Sequence, residues 1–589
     1  MEQHLAEEIT IVAVLGIVIV GAVSAIAGRI GVAAPLLLTL VGIGLGFVPG
    51  AADVVVDPEI ILTVVLPPLL YAAALQVPFV DFRRNLRVIA FLSVVLVVVC
   101  ALVVGGLVAW IWPAVGFALA VALGAVVAPP DAVAATSLGK RLGLPPRIVT
   151  ILEGEGLVND ATALVLLSTA VGIAVDAGDG GPAVEVGDVA GTFAWAVVGA
   201  LVIGYVVGRV AVAVRGRIHD LVLDTALSIV VPFVAFLAAE QVHASGVVAV
   251  VVAGIVVGNL GPGRIGARER QGERTSWQTF TMVIEHAVFL YMGLRLRPVV
   301  DAVEGAEQSL WEVVGVGLLV TLLLVALRFA VMPLLLWSIR VRARKLERRQ
   351  RLGARRMQQA DERFAATEDA RVTSRLDQFR RRLEQQANDV TAERDQSLGW
   401  RDGVALGWSG MRGVVTVAAV QTLPHDHPYY AALVLVAFVV AIVTLLVQGL
   451  TLPALIRALR LTKDSTTEER AELLELTRRC ADAGSAAMTT ELDALDQPLG
   501  GAMRDEILAM PARRVERAAT MLGIGDDVDE ERTRAFVRVR RAQLAAERAT
   551  LRAERQRGAF SSETLAAMQR QLDVFEVQLD AMAGDDAGH

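Results

Sequence analysis

The sequence predicts an all-α polytopic membrane protein: about thirteen transmembrane helices, two of them interrupted, with a cytoplasmic helical insertion and tail. Three observations predict it. Of the 589 residues 54% are hydrophobic, and the mean hydropathy of +0.56 is too high for a chain that folds wholly in water. The apolar residues are gathered into runs over roughly the first 460 positions, whereas 341–400 and 464–589 are dense in charge. Basic residues alternate from one loop to the next. This composition excludes a wholly soluble enzyme, a disordered chain and a fibre. Two cysteines, Cys100 and Cys480, exclude a disulfide scaffold or a cysteine metal cluster. A net charge of −7 is small for this length and identifies no partner.

About 20 apolar residues are needed for a helix to cross ~30 Å of hydrocarbon. In order, the segments that qualify are 8–28, 32–49, 59–77, 86–112, 115–136, 148–176, 189–214, 221–241, 244–260, 276–297, 309–339, 402–423 and 429–459. The first reads as a span, because its leading MEQHLAEE is acidic where a cleaved signal starts basic. Loops after spans 1, 3, 5, 7, 9 and 11 carry Arg29; Arg83, Arg84 and Arg87; Lys140, Arg141 and Arg147; Arg215 and Arg217; Arg264, Arg268, Arg270 and Arg274; and the arginine-rich 341–400. Loops after spans 2, 4, 6, 8 and 12 carry no Lys or Arg, and Arg297 near the loop after span 10 departs from the pattern. Positive loops stay in the cytoplasm. The expectation is an odd number of spans in a bacterial inner membrane, the N-terminus outside and the C-terminus inside.

Four regions follow: spans 1–11 over 1–340, the charged insertion 341–400, spans 12 and 13 over 401–460, and the tail 461–589. The insertion and tail read as solvated helices, the tail punctuated near Gln497-Pro498-Leu499-Gly500 and Gly523-Ile524-Gly525. A sharper reading makes the tail a regulatory module of unidentified partner. Arg340, Arg342 and Arg344 sit where they would meet anionic lipid. No phosphate loop, metal-ligand cluster or nucleotide fingerprint occurs, so neither a cofactor nor nucleic acid is expected.

Charges at mid-membrane cost at least ~2.5–3.5 kcal/mol each and mark function by default. Span 6 holds Glu153, Glu155, Asn159 and Asp160 within eight residues. Glu155 and Asn159 share a helix face, and Asp160 is rotated about 140° from Glu155. Glu153 lies about two turns before Asp160, a candidate for a cytoplasmic funnel. A structural polar network accounts for one such acid more readily than for three. Span 5 holds Pro129-Pro130-Asp131, and two prolines in mid-span break a helix. Such breaks line cavities, where freed carbonyls become ion ligands. Span 12 holds Ser409-Gly410-Met411-Arg412-Gly413. Arg412 needs an anion, and Glu155 is its expected partner. Two interrupted spans, one per half, point to an inverted-repeat transporter. In span 10, Glu285 and His286 read as a polar pair packed between helices. Arg328 in span 11 needs a partner that the sequence does not name.

Taken together, Glu155-x-x-x-Asn159-Asp160, Asp131 at 24 residues before Glu155, and Gly410-Met411-Arg412-Gly413 resemble the motifs of monovalent cation:proton antiporters. This is the sodium/proton exchanger superfamily, its bacterial NhaP-type branch in particular. Phe289-Leu290-Tyr291-Met292-Gly293 and Ser245-Gly246-Val247-Val248-Ala249 are similar to the family as well, and the resemblance covers about 8–460. It implies six-helix inverted repeats, spans 5 and 12 crossing at their breaks, a homodimer, and elevator-like alternating access. Spans 4–6 and 11–13 would form the moving core. Asp160 would carry cation or proton, Asp131 and Pro130 would line the site, Asn159 would stabilise it, and Glu155–Arg412 would be a structural ion pair. An Asn-Asp pair resembles the electroneutral branch. Two departures bear on the cation: Pro130 stands where relatives place Thr, and Gly156 where many have Ser, so two side-chain oxygens are missing. The resemblance implies exchange of Na⁺ or Li⁺ for H⁺; the missing oxygens argue for the alternative, K⁺/H⁺ exchange. A regulated cation channel or a membrane sensor fits less well, without a Gly-rich filter or a signalling domain. No nucleophile–base pair or ATP-binding motif suggests an enzyme or a pump.

Overall fold

The computed structural model describes residues 2–30, 33–48, 56–131, 135–136, 139, 142–178, 186–364, 387, 398–461, 476, 479–480, 483–484, 486–494 and 530–582. Lys140 and Arg141, nearly all of the insertion beyond Phe364, and the tail's breaks near 497–500 and 523–525 lie outside them. The described residues form helices and no strand. The chain divides into two compact units: one of 1–265, 272–341 and 398–463, the other of 266–271, 342–397 and 464–589.

The apolar segments all coincide with helices. In chain order these are α1 (Glu2–Ile30), α2 (Ala34–Leu45), α3 (Pro58–Gln76), α4 (Phe79–Ile111), α5 (Phe117–Val127), α6 (Pro146–Gly178), α7 (Val186–Arg215), α8 (Leu221–Glu240), α9 (Gly246–Leu260), α10 (Ala267–Leu294), α11 (Leu296–Gly305), α12 (Leu310–Phe364), α13 (Trp400–Trp408), α14 (Val414–Val420) and α15 (Tyr430–Leu459). Eight of them are long and apolar enough to cross a membrane: α3, α4, α6, α7, α8, α9, α12 and α15. Three others, α1, α2 and α5, contain shorter apolar stretches. The remaining two predicted spans are α10, diluted by Glu285 and His286, and the pair α13 and α14, which a break divides.

Local signals place the ends. Pro58 opens α3 behind Asp57, whose carboxylate accepts from the Glu59 amide at 2.9 Å. Asp220 and Ser245 cap α8 and α9 in the same way. Two helices contain π turns, at Ile61–Val65 in α3 and Phe91–Leu96 in α4. The second presents Ser93, whose hydroxyl donates to the Glu155 carbonyl at 3.1 Å. Arg297 departs from the loop pattern because it lies on the amphipathic α11, where its Nε donates to Asp301 one turn on at 3.2 Å.

Within the first unit, α5 packs on α4, α6, α14 and α15, and α9 packs on α3, α7 and α8. Charge is buried where α7, α8 and α10 meet. Arg215 reads as a loop residue in the sequence, yet its side chain is 1% exposed. It donates twice to Asp224, at 2.8 and 2.7 Å, and to Glu273 at 2.7 Å. Ser228 donates to Glu273 and accepts from the Trp277 indole at 2.9 Å, and Trp277 stacks against Tyr71. One guanidinium thus satisfies two buried carboxylates. In the second unit, α16 (Glu530–Arg557) and α17 (Ser562–Met582) pair around Leu476, Cys480, Leu551, Phe560 and Leu572. Burial pushes the Cys480 thiol up to about 11.

Replacing Arg215 by Ala leaves two buried carboxylates without their cation, and stability falls by about 3–5 kcal/mol. Thermal unfolding of the solubilised protein checks this; an unchanged melting temperature would contradict it.

Candidate functional site

Two interrupted helices build the site. Helix α5 stops at Val127, and Ala128, Pro129, Pro130 and Asp131 leave the helical path because neither proline has an amide proton to continue it. Between α13 and α14, Ser409–Gly413 are likewise unwound. The two breaks touch. The Asp131 amide donates to the Met411 carbonyl at 2.6 Å. A Cβ on Gly413 would overlap the Asp131 carboxylate, so only glycine allows this approach.

Arg412 holds the crossing together. Its side chain is buried; Nε donates to the Val127 carbonyl at 3.1 Å, Nη2 to Ala128 at 3.4 Å and Nη1 to Gly410. Its amide donates to the Thr444 hydroxyl at 3.0 Å. One guanidinium therefore satisfies carbonyls that both breaks have freed.

The expected Glu155–Arg412 ion pair is corrected here. Glu155, 1% exposed, pairs with Arg328 of α12, Nη1 to Oε1 at 2.5 Å and Nη2 to Oε2 at 2.8 Å. The remaining Nε of Arg328 donates to the Leu406 carbonyl at 3.0 Å. This two-pronged geometry is the strong form of an arginine–carboxylate contact. Arg412 is near enough for the Glu155 charge to act on it, but unwound backbone claims its donors first. Gly410 lies between the two guanidinium side chains, where a Cβ would press on Arg328.

The remaining predicted residues lie as follows. Asn159 is fully buried; its Nδ2 donates to the Pro130 carbonyl at 2.8 Å, and its Oδ1 has no hydrogen-bond partner among the described residues. A buried acceptor without a donor is costly unless something occupies it. Pro130 contributes that carbonyl. Asp160 and Asp131 are half-buried, and their charges act on one another. Glu153 is half-buried about two turns earlier on α6. No group of three His, Cys, Asp or Glu side chains that could hold a metal ion occurs among the described residues.

Sequence reasoning missed three contributors. Arg328 was visible as a mid-span cation, but its partner depends on how α12 packs. Thr444 and Ser93 carry no signal beyond a polar atom in an apolar run. Glu285 and His286 are both half-buried, and His286 Nδ1 lies 2.8 Å from the Ser24 hydroxyl.

Residues 13–458 match the family model described as sodium/hydrogen exchanger, transmembrane. The chain belongs to the sodium/hydrogen exchanger family. It is 32% identical over 584 residues to an uncharacterized Na⁺/H⁺ exchanger of Mycobacterium tuberculosis, covering 97% of this chain and 96% of that one. A sodium, potassium, lithium and rubidium/H⁺ antiporter of Bacillus pumilus is 28% identical over 310 residues, half of this chain and 44% of that one. The fold matches the sodium proton antiporter MjNhaP1 of Methanocaldococcus jannaschii with a TM-score of 0.53 at 14% identity, covering 79% of this chain and all of that one. Members of this exchanger family are transporters, so this chain is a membrane antiporter rather than an enzyme.

Two outcomes follow from the geometry. In a double-mutant cycle on unfolding, Glu155→Gln with Arg328→Gln shows a coupling of about 3 kcal/mol, and Glu155→Gln with Arg412→Gln under about 1 kcal/mol; the reverse order would restore the expected pair. Gly413→Ala forces Asp131 away from the crossing and cuts transport about tenfold or more while the protein still purifies folded, since a 1 Å misplacement at a reacting centre costs on that order; wild-type transport would show that the close contact is dispensable.

Proposed function

We propose that this antiporter exchanges Na⁺ or Li⁺ for H⁺, one for one, by alternating access, with cation and proton competing for Asp160. The observation that carries the reading is the half-buried Asp160 beside Asp131 and the unpartnered Asn159 oxygen, at the crossing of two broken helices. Withdrawal from water favours the protonated form of a carboxylate, and a cation beside it favours the charged form. Two neighbouring carboxylates make an empty, doubly charged site costly to enclose. Na⁺ or H⁺ each relieves that cost, and both cannot do so at once. If only the loaded site moves, the two fluxes are coupled without any covalent chemistry.

Na⁺ prefers hard oxygen ligands; the Asp160 and Asp131 carboxylates, Asn159 Oδ1 and backbone near Pro130 supply them. Arg412 and the Glu155–Arg328 pair hold the frame, and Glu153 draws cations toward it. The basic loops support a topology in a bacterial cell membrane with the N-terminus outside and the insertion and tail in the cytoplasm. The packing of α5 on α4, α6, α14 and α15 supports a core that moves as one body, and the family resemblance implies a homodimer. A second reading, K⁺/H⁺ exchange, draws on Pro130 and Gly156, which withhold two side-chain oxygens, and on the relative named for potassium among its ions.

Purified protein in proteoliposomes with an imposed pH gradient tests this. Na⁺ and Li⁺ should each collapse the gradient, K⁺ should not, and Asp160→Asn should abolish the response in a folded protein. Retained exchange in Asp160→Asn would sink the assignment of the carrier. A response dominated by K⁺ would select the second reading.

A further inference from the structure

Helix α15 carries a row of polar side chains along the second break. Thr444, Gln448 and Thr451 lie at i, i+4 and i+7, within about 60° of one another around the helix and over about 10 Å of its length. Two of the three are engaged. The Thr451 hydroxyl accepts from the Trp408 indole, at the end of α13, at 2.8 Å, and the Thr444 hydroxyl accepts from the Arg412 amide at 3.0 Å. The unwound stretch 409–411 between these attachments therefore runs antiparallel along the row, and Gln448 stands between them. Its side chain belongs to a residue only 2% exposed, yet neither Nε2 nor Oε1 has a hydrogen-bond partner among the described residues. The next residue, Gly449, is closely packed: a Cβ there would lie 2.9 Å from Leu36 of α2 and 3.4 Å from the Met411 sulfur.

We propose that Gln448 holds one buried water molecule against the unwound stretch, and that this water helps to position the crossing of the two breaks. A buried amide with a free donor and a free acceptor is costly. Water, which both donates and accepts, meets both needs, and buried waters make about three hydrogen bonds to groups of this kind. The stretch beside the amide offers the remaining partners. The Gly410 and Met411 carbonyls each accept one bond, from the Arg412 side chain and the Asp131 amide, and each keeps a second lone pair. A cation suits this place poorly, because Arg412 carries a fixed positive charge on the same stretch and the glutamine nitrogen presents donors. The effect reaches the ion site through one residue. Met411 packs its sulfur beside Gly449 and receives the Asp131 amide on its carbonyl at 2.6 Å. A change of support at Gln448 shifts Met411 and, with it, Asp131. Gln448 is thus a positioning residue that acts at one remove from the carboxylates.

The test compares Gln448→Met with the wild type, since methionine fills a similar volume without either polar atom. Removing an amide that truly lacks a partner would leave thermal unfolding of the solubilised protein unchanged or raise it. A held water predicts the opposite, a melting temperature lower by about 2 °C or more. In proteoliposomes the KM for Na⁺ should rise about threefold or more in the folded variant, through misplacement of Asp131; this arm rests on the exchange reading above. A third readout needs no variant to fold. Hydroxyl radicals made by X-ray radiolysis of a water held beside Met411 would oxidise its sulfur even though the side chain is fully buried, so Met411 should be labelled in the wild type. Unchanged or higher melting in Gln448→Met overturns the proposal, and so does an unlabelled Met411. Lowered melting with an unchanged KM overturns the positioning role. A wild type that exchanges no cation would strike the exchange reading alone, because melting and labelling decide the water without it.

Discussion

Backbone that leaves the helical path inside a membrane must find its hydrogen-bond partners within the protein, because hydrocarbon offers none. The site follows from that constraint. Pro129 and Pro130 free the carbonyls at the end of α5, Gly410 and Gly413 unwind the start of α14, and Arg412 serves both sets of freed carbonyls at once. Bringing the two breaks into contact then seats Asp131 against Gly413 and places the Pro130 carbonyl where Asn159 reaches it. Asp160, the proposed carrier, is the next residue along. Its position is thus a consequence of how two defects in the helical scaffold repair one another.

Buried charge in this protein divides into two kinds. Glu155 with Arg328, and Arg215 with Asp224 and Glu273, are buried sets in which each nitrogen of the guanidinium finds an acceptor. Removing a partner from such a set is costly, but the sets themselves hold no site open. Asp131 and Asp160 are half-buried instead, and the Asp131 charge acts on Asp160. Charges of the first kind fix helices against helices.

Much of this was legible in the chain. The thirteen apolar runs, the two broken spans and the acids of α6 stand out because each violates the composition of its surroundings, and such violations survive without any knowledge of packing. The pairing of those charges did not. Arg412 and Arg328 are equally plausible partners for Glu155 by residue type. The choice depends on Arg412 being surrounded by unwound backbone, a fact of three helices meeting. Arg215 was misread for a similar reason: at the end of an apolar run it looks like a loop residue, yet Asp224 and Glu273 from two other helices bury it. Arg297 looked like an exception to the loop rule and is instead one face of the short amphipathic α11.

The sequence by itself determined the class of molecule, the membrane-spanning segments, the place of both breaks and the family, because hydrophobic length, proline chemistry and motif spacing are local properties. Only the tertiary structure decided which arginine neutralises Glu155, that the Asn159 amide reaches the Pro130 carbonyl, and that the two breaks meet at Asp131 and Gly413. Those are properties of groups far apart in the chain, and in a low-dielectric interior the partner of a charge is set by which helix face packs against it.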